Sequence, residues 1–395
     1  MRPTNQLNKG LIFVRKTIIS LLTFYIFLFS LYSDKFIASA QERLFLDLSL
    51  ELLDEYELPK QSFQNTQVGG LSAIVYDNQK DHYYVISDDR SNLDPARYYT
   101  LKINLDQNNS KQIKIKNIEI KNVTLLKNEQ GKTYPQNSID AEGIALSSRD
   151  TLFISSEGNT KKGIAPFIGE FDLQGNLQQK IRIPQRYLNN ETLENLTKGI
   201  QNNLGFEALT VKLNGTVKED AFRLFVGTEA ALIQDVNPEN SLTQNRSRLL
   251  NYVINPIGEP VLLGENLYIL DSAPLGVISN GLTELVALEK EGYLLSLERT
   301  FGLSGAGAKI FQVIIANATD TSNTASLAGN IDNILPLKKK LVLNLKDLGI
   351  ELDNLEGMTL GPKLKDGSQT LILISDDNFT NSQKNQFLLF KLYSN

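Results

Sequence analysis

Nine acidic residues recur at matching points along this chain: Asp89, Glu142, Glu157, Glu207, Glu229, Glu284, Glu298, Glu356 and Asp377. One group opens short apolar runs, as in Asp140-Ala-Glu-Gly, Gly205-Phe-Glu-Ala, Gly281-Leu-Thr-Glu and Asn354-Leu-Glu-Gly. The other closes the run that follows, at Ser87-Asp-Asp, Ser156-Glu, Thr228-Glu, Leu297-Glu and Ser375-Asp-Asp. Carboxylates brought together must raise their pKa values, pair with Arg and Lys, or hold cations. With no cysteine and a single histidine in the chain, an all-oxygen site favours calcium, or magnesium, over zinc. The other reading is that these acids accept hydrogen bonds from backbone N–H groups in turns and do nothing else.

Arg90, Arg97, Lys161 and Arg299 follow the closing acids closely. From there they can reach the same face and hold an oxyanion, Arg in bidentate fashion, or they neutralise their acidic neighbours. Acids, a bound cation and Arg together are the composition of a phosphoester site, where metal polarises an oxygen and activates water. Other chemistry is excluded. His82 stands at the entry to a strand-like run, and no G-x-S-x-G elbow accompanies it, so a Ser-His-Asp triad is not supported. Gly302-Leu-Ser-Gly-Ala-Gly lacks a Gly-Lys-Ser/Thr ending and leads into a strand-like run, so it reads as a plain loop.

The elements that must position these residues form a repeat. The paired acidic runs return every 65 to 77 residues, with a weaker copy at Gly70-Leu-Ser-Ala leading to Ser87-Asp-Asp. Each period holds two more β-branched and aromatic runs, such as Arg248-Leu-Leu-Asn-Tyr-Val-Ile. Four strands per repeat predict an all-β propeller. Five blades are expected, or six if residues 185–204 hold a degenerate one. The last repeat has only three strand-like runs, so residues just after the first 40 should supply its fourth and close the ring. In an antiparallel pair the start of one strand lies beside the end of the next. The acids are therefore expected in two rings at one mouth of a central channel.

The order Ser87-Asp-Asp-Arg…Ala96-Arg-Tyr-Tyr, Asp140-x-Glu-Gly, Gly205-Phe-Glu, Asn354-Leu-Glu-Gly…Ser375-Asp-Asp-Asn-Phe resembles the "esterase-like activity of phytase" family over about residues 65–393. The resemblance implies an exported bacterial propeller and a metal-dependent hydrolase acting on a small-molecule phosphate or other ester. A propeller that binds a ligand or protein without turnover is the alternative, and a calcium-dependent lactonase-type propeller is a third.

Lys9, Arg15 and Lys16 precede an apolar run from Thr17 to Tyr32, and Ala38-Ser-Ala40 follows. This order describes a signal peptide over residues 1–40, with 41–395 as the propeller domain and a periplasmic or extracellular destination. An uncleaved anchor is the other reading. The net charge is −5, and removal of the basic leader leaves the remainder more acidic. That excludes nucleic acid, and anionic membrane once the leader is gone, as partners. A monomer is expected.

Overall fold

A computed structural model describes residues 44–108, 112–189, 196–215, 217–237, 245–303 and 305–394. The expected signal peptide lies outside the described residues. Every strand belongs to one compact unit, Phe45–Asn395. Strand β1 (Leu48–Leu58) comes first, followed by a small hairpin of β2 (Gln61–Phe63) and β3 (Thr66–Val68). The first blade is β4 (Leu71–Asp77), β5 (His82–Ser87), β6 (Arg97–Asp106) and β7 (Lys114–Leu125). The second is β8 (Ala141–Leu146), β9 (Thr151–Ser156), β10 (Phe167–Asp172) and β11 (Leu177–Ile181). The third is β12 (Phe206–Leu213), β13 (Phe222–Thr228), β14 (Arg246–Ile254) and β15 (Val261–Ile269). The fourth is β16 (Val277–Ala287), β17 (Tyr293–Gly302), β18 (Gly305–Ile314) and β19 (Lys338–Asn344). The fifth holds β20 (Asn354–Lys363), β21 (Gln369–Asp376) and β22 (Asn385–Ser394), and its outer position is filled by β1.

Each first strand touches the first strands of the two neighbouring blades, in the order β4, β8, β12, β16, β20 and back to β4. The chain is a five-bladed propeller with these strands around its axis. The described part of residues 185–204 forms a 3-10 turn, Gln185–Tyr187, and an isolated bridge rather than a sixth blade.

The core explains why the strands are apolar almost throughout. Successive side chains of a strand point to opposite faces, and in a propeller both faces meet a neighbour. Leu371 and Leu373 of β21 pack on the fourth blade, while Ile372 and Ile374 pack on the first. Leu388 and Phe390 of β22 divide from Phe387 and Leu389 in the same way. Each of the five boundaries between blades has its own buried apolar cluster. At the axis the inner strands run close together. A Cβ on Gly143 would collide with the Glu207 carbonyl oxygen, which is why glycine follows Glu142.

Strand β1 pairs antiparallel with β22 from Leu48↔Ser394 to Leu58↔Asn385. It closes the ring between the two ends of the chain and covers an edge that would otherwise lie open. It also lends Leu58 to the boundary with the first blade, and Leu48, Leu50 and Leu52 to that with the fourth. Deleting residues 45–58 should therefore abolish a single cooperative melting transition. An unchanged transition, followed by circular dichroism, would contradict this role for β1.

Candidate functional site

The site is built by a register slip repeated in all five blades. Pairing of first with second strand passes through Leu71↔Ser87, Ala141↔Ser156, Phe206↔Thr228, Leu282↔Glu298 and Leu355↔Ser375. It then shifts at once by a β-bulge in the first strand. A bulge re-aims the side chain it carries. The residue that follows each of these pairs on the first strand is Ser72, Glu142, Glu207, Thr283 or Glu356. The residue that follows the pair on the second is Asp88, Glu157, Glu229, Arg299 or Asp376. Matching Glu with Glu, as the sequence invites, puts Glu284 and Glu298 at the fourth-blade positions; the pairing puts Thr283 and Arg299 there. In the two Asp-Asp runs the first aspartate, not Asp89 or Asp377, occupies the equivalent place.

Glu142, Glu207 and Glu356 line one cavity of about 770 Å³ with Asp88, Asp376, Arg90 and Arg299. Carboxylate oxygens of Asp140, Glu142 and Glu157 lie within 4.8 Å of one another, as do those of Glu157, Glu207 and Glu229. Glu157 is common to both sets. Its Oε1 accepts a 2.5 Å hydrogen bond from the Gly205 N–H of the next blade, which fixes the side chain. Its Oε2, and the Oε2 of Glu207, are buried without a hydrogen-bond partner among the described residues.

Two arginines counter the charge, each across a blade boundary. Arg299 Nη2 lies 2.9 Å from Glu229 Oε1 and 3.4 Å from Glu356 Oε1. Arg90 Nε donates to Asp140 Oδ1 at 2.6 Å, and its Nη2 reaches Asn203. These pairs are too few for the acids present. Burial, and after it repulsion from neighbouring carboxylates, pushes Glu142, Glu157, Glu207, Asp88 and Asp376 well above the ordinary carboxylate range. Burial raises Asp140, Glu229 and Glu356 as well, with Arg90 or Arg299 pulling against it.

Of the other residues singled out in the sequence, Asp89 also borders this cavity but is taken up by a turn, and the rest lie outside its lining. Asp89 accepts from the N–H groups of Asn92, Leu93 and Asp94 at 2.8, 3.1 and 2.8 Å and from Arg97 Nη1 at 2.7 Å. Against the upward push of burial, Arg97 and these N–H groups hold its pKa below the usual value. Arg97 is itself fully buried, donating also to the Tyr99 hydroxyl and the Gln67 carbonyl. Asp377 accepts from the N–H groups of Gly70 and Phe379 at 2.9 and 3.1 Å. Glu298 accepts from the Tyr268 hydroxyl, the Asp271 N–H and Lys339, between blades. Lys161 stands exposed in the 3-10 turn Thr160–Lys162. Glu284 falls in line with Gly143, Ala208 and Gly357, one residue along the inner strand. There it accepts from the N–H groups of Leu209 and Leu285.

Asp88, Asp140 and Asp376 complete the site. Two of them carry a sequence signal: a hydroxyl residue directly before the acid, shared by Ser87-Asp88, Ser156-Glu157, Thr228-Glu229 and Ser375-Asp376.

Fold and site together define a propeller with a carboxylate-lined mouth bridged by two arginines. The phytase-like family model, described as esterase-like activity of phytase, matches residues 66–379. The chain belongs to that family. Comparison with curated proteins gives no match. Among solved structures, a putative glycoside hydrolase from Parabacteroides distasonis is 11% identical, with 84% of this chain and 92% of that one covered and a TM-score of 0.40. The catalytic domain of a GH62 alpha-L-arabinofuranosidase from Coprinopsis cinerea is 9% identical, covering 88% and 97%, with a TM-score of 0.36. The Pan2 WD40 domain of Neurospora crassa is 8% identical, covering 87% and 95%, with a TM-score of 0.31.

A pH prediction follows from the raised carboxyls. The folded chain keeps these protons to a higher pH than the unfolded chain, so stability is lost as pH rises above about 4.5. Melting temperatures in chelator should fall between pH 5 and 8, and Glu207→Gln should melt higher than the parent at pH 8. A Glu207→Gln variant less stable than the parent under those conditions would contradict the electrostatic account.

Proposed function

We propose that the mouth binds divalent cations, calcium foremost and magnesium as the alternative, and with them hydrolyses a phosphate or other ester. The observation that supports this reading is the pair of carboxylate sets sharing Glu157, each with an unpartnered oxygen. Buried carboxylates are ordinarily hydrogen-bonded or coordinate metals. Asp140, Glu142, Glu157, Glu207 and Glu229 would hold the cations, and Glu356 and Asp376 line the cavity with Glu142 and Glu207. All are hard oxygen donors suited to calcium.

A bound cation supplies polarisation of the ester oxygen and lowers the pKa of water. The chain's own residues do the rest. Arg299 has a buried Nε without a partner among the described residues, and it sits in the cavity wall. A donor held there by Glu229 and Glu356 can stabilise charge that develops on the ester oxygens. Water adds its oxygen to the phosphorus or acyl carbon, the bond to the leaving oxygen breaks, and the leaving oxygen takes a proton. A carboxylate of the cluster takes up the proton that water gives and passes it to the leaving oxygen.

Turnover of 4-nitrophenyl phosphate and 4-nitrophenyl acetate with calcium, with magnesium and with chelator tests the proposal. Glu157→Gln should lower cation-dependent turnover by about 10- to 100-fold, as losses around metal centres do. Retention of full activity in chelator, or in Glu157→Gln, would overturn the metal-dependent reading. Cation binding with no turnover of either ester would leave a binding propeller instead.

A further inference from the structure

The acidic cavity has an apolar rim. Leu93, Phe301 and Phe379 come from the first, fourth and fifth blades and line the same cavity as the carboxylates beneath them. Leu93 is 56% exposed and Phe301 46% exposed. Single exposed apolar residues are common; three around one charged mouth, Phe301 on strand β17 and the other two on specially built turns, are not explained by chance exposure.

The turns are held with unusual care. Asp89 takes three backbone N–H groups to shape the turn that presents Leu93, and Ser91 in that turn has φ of 55°. Asp377 takes the Phe379 N–H, and Asp376 takes the Asn378 N–H at 2.7 Å. Asn378 and Phe379 have φ of 46° and 52°. A bulky residue in the left-handed region is strained and persists only where its surroundings over-determine it. Arg97 joins the two turns, pairing with Asp89 while its guanidinium lies 5.9 Å from the centre of the Phe379 ring. The ring rests on Gly69, where an added Cβ would sit 3.0 Å from Phe379 Cδ1.

We infer that the ligand of this mouth is an ester with an apolar substituent, aryl or acyl, which seats on Leu93, Phe301 and Phe379 while its polar head enters the carboxylate cavity. The inference rests on the reading of the mouth as a cation-assisted ester site and adds the substrate class. It disfavours a many-phosphate ligand. Among the described lining residues only Arg90 and Arg299 are cationic, and the other donors there, Asn92, Asn203, Asn354, Asn378, Thr380 and Gln383, are neutral and cannot balance several phosphate charges.

The test is calorimetric titration of phenyl phosphate and methyl phosphate, which share one anionic head, into the full chain with calcium. The parent should bind phenyl phosphate at least about tenfold more tightly, the scale of discrimination a small apolar contact provides. Leu93→Ser and Phe301→Ser should bring phenyl phosphate towards the methyl phosphate affinity and leave methyl phosphate unchanged. Both side chains are exposed enough that folding is preserved, which the melting transition verifies. Equal affinity of the parent for the two ligands, or a phenyl preference that both variants keep, would overturn the inference while the ester-site reading stands. If neither ligand binds, both fall.

Discussion

Repulsion among carboxylates at the axis is the constraint around which this propeller is arranged. Five inner strands converge there, and all five carry a bulge at the same depth, so their side chains meet whatever their chemistry. Glu142, Glu207 and Glu356 thus share a mouth with Glu157, Glu229, Asp88 and Asp376. Burial disfavours the charged form of each, and each neighbour adds to the cost. Protons, Arg and cations are the ways to relieve it. The fold spends two arginines on the task and leaves buried oxygens of Glu157 and Glu207 unpartnered. Asp88 and Glu284 likewise keep a buried oxygen without a hydrogen-bond partner among the described residues, whereas Asp89, Asp377 and Glu298 are supplied with donors.

The fourth blade is where the ring departs from its own pattern. Thr283 and Arg299 stand where the second and third blades have two glutamates each. Arg299 therefore lies in the mouth with acids of the third and fifth blades on either side. Symmetry brings the acids together, and its single cationic break creates a donor beside them. On the proposed reading, this asymmetry is what lets the mouth take an oxyanion as well as cations.

The repeat, the four strands per blade, the five blades and the closure by both ends of the chain were legible in the sequence, because apolar runs between turn residues mark strands buried on two faces. Glu142, Glu157, Glu207, Glu229, Glu356, Arg90 and Arg299 were legible as members of one mouth for the same reason. The error of one residue in the fourth blade was not avoidable by matching like with like. Glu284 and Glu298 resemble their counterparts in type, while the pairing Leu282↔Glu298 decides their place. The two Asp-Asp runs hid which member stands at the strand end for a related reason, since Asp88 and Asp89 are chemically alike and only the pairing separates them. Asp89 and Asp377 were legible as acids but not as builders of turns, a role fixed by loops whose course the repeat does not specify.

Calcium titration at pH 7 in two buffers of different ionisation enthalpy tests the central claim most directly, because it counts protons as well as ions. If the mouth holds protons that a cation replaces, calcium must bind and release protons, as metal binding to protonated ligands requires. Glu157→Gln should diminish both. Calcium binding with the same apparent enthalpy in both buffers, or no binding at all, would contradict the account of the carboxylate mouth.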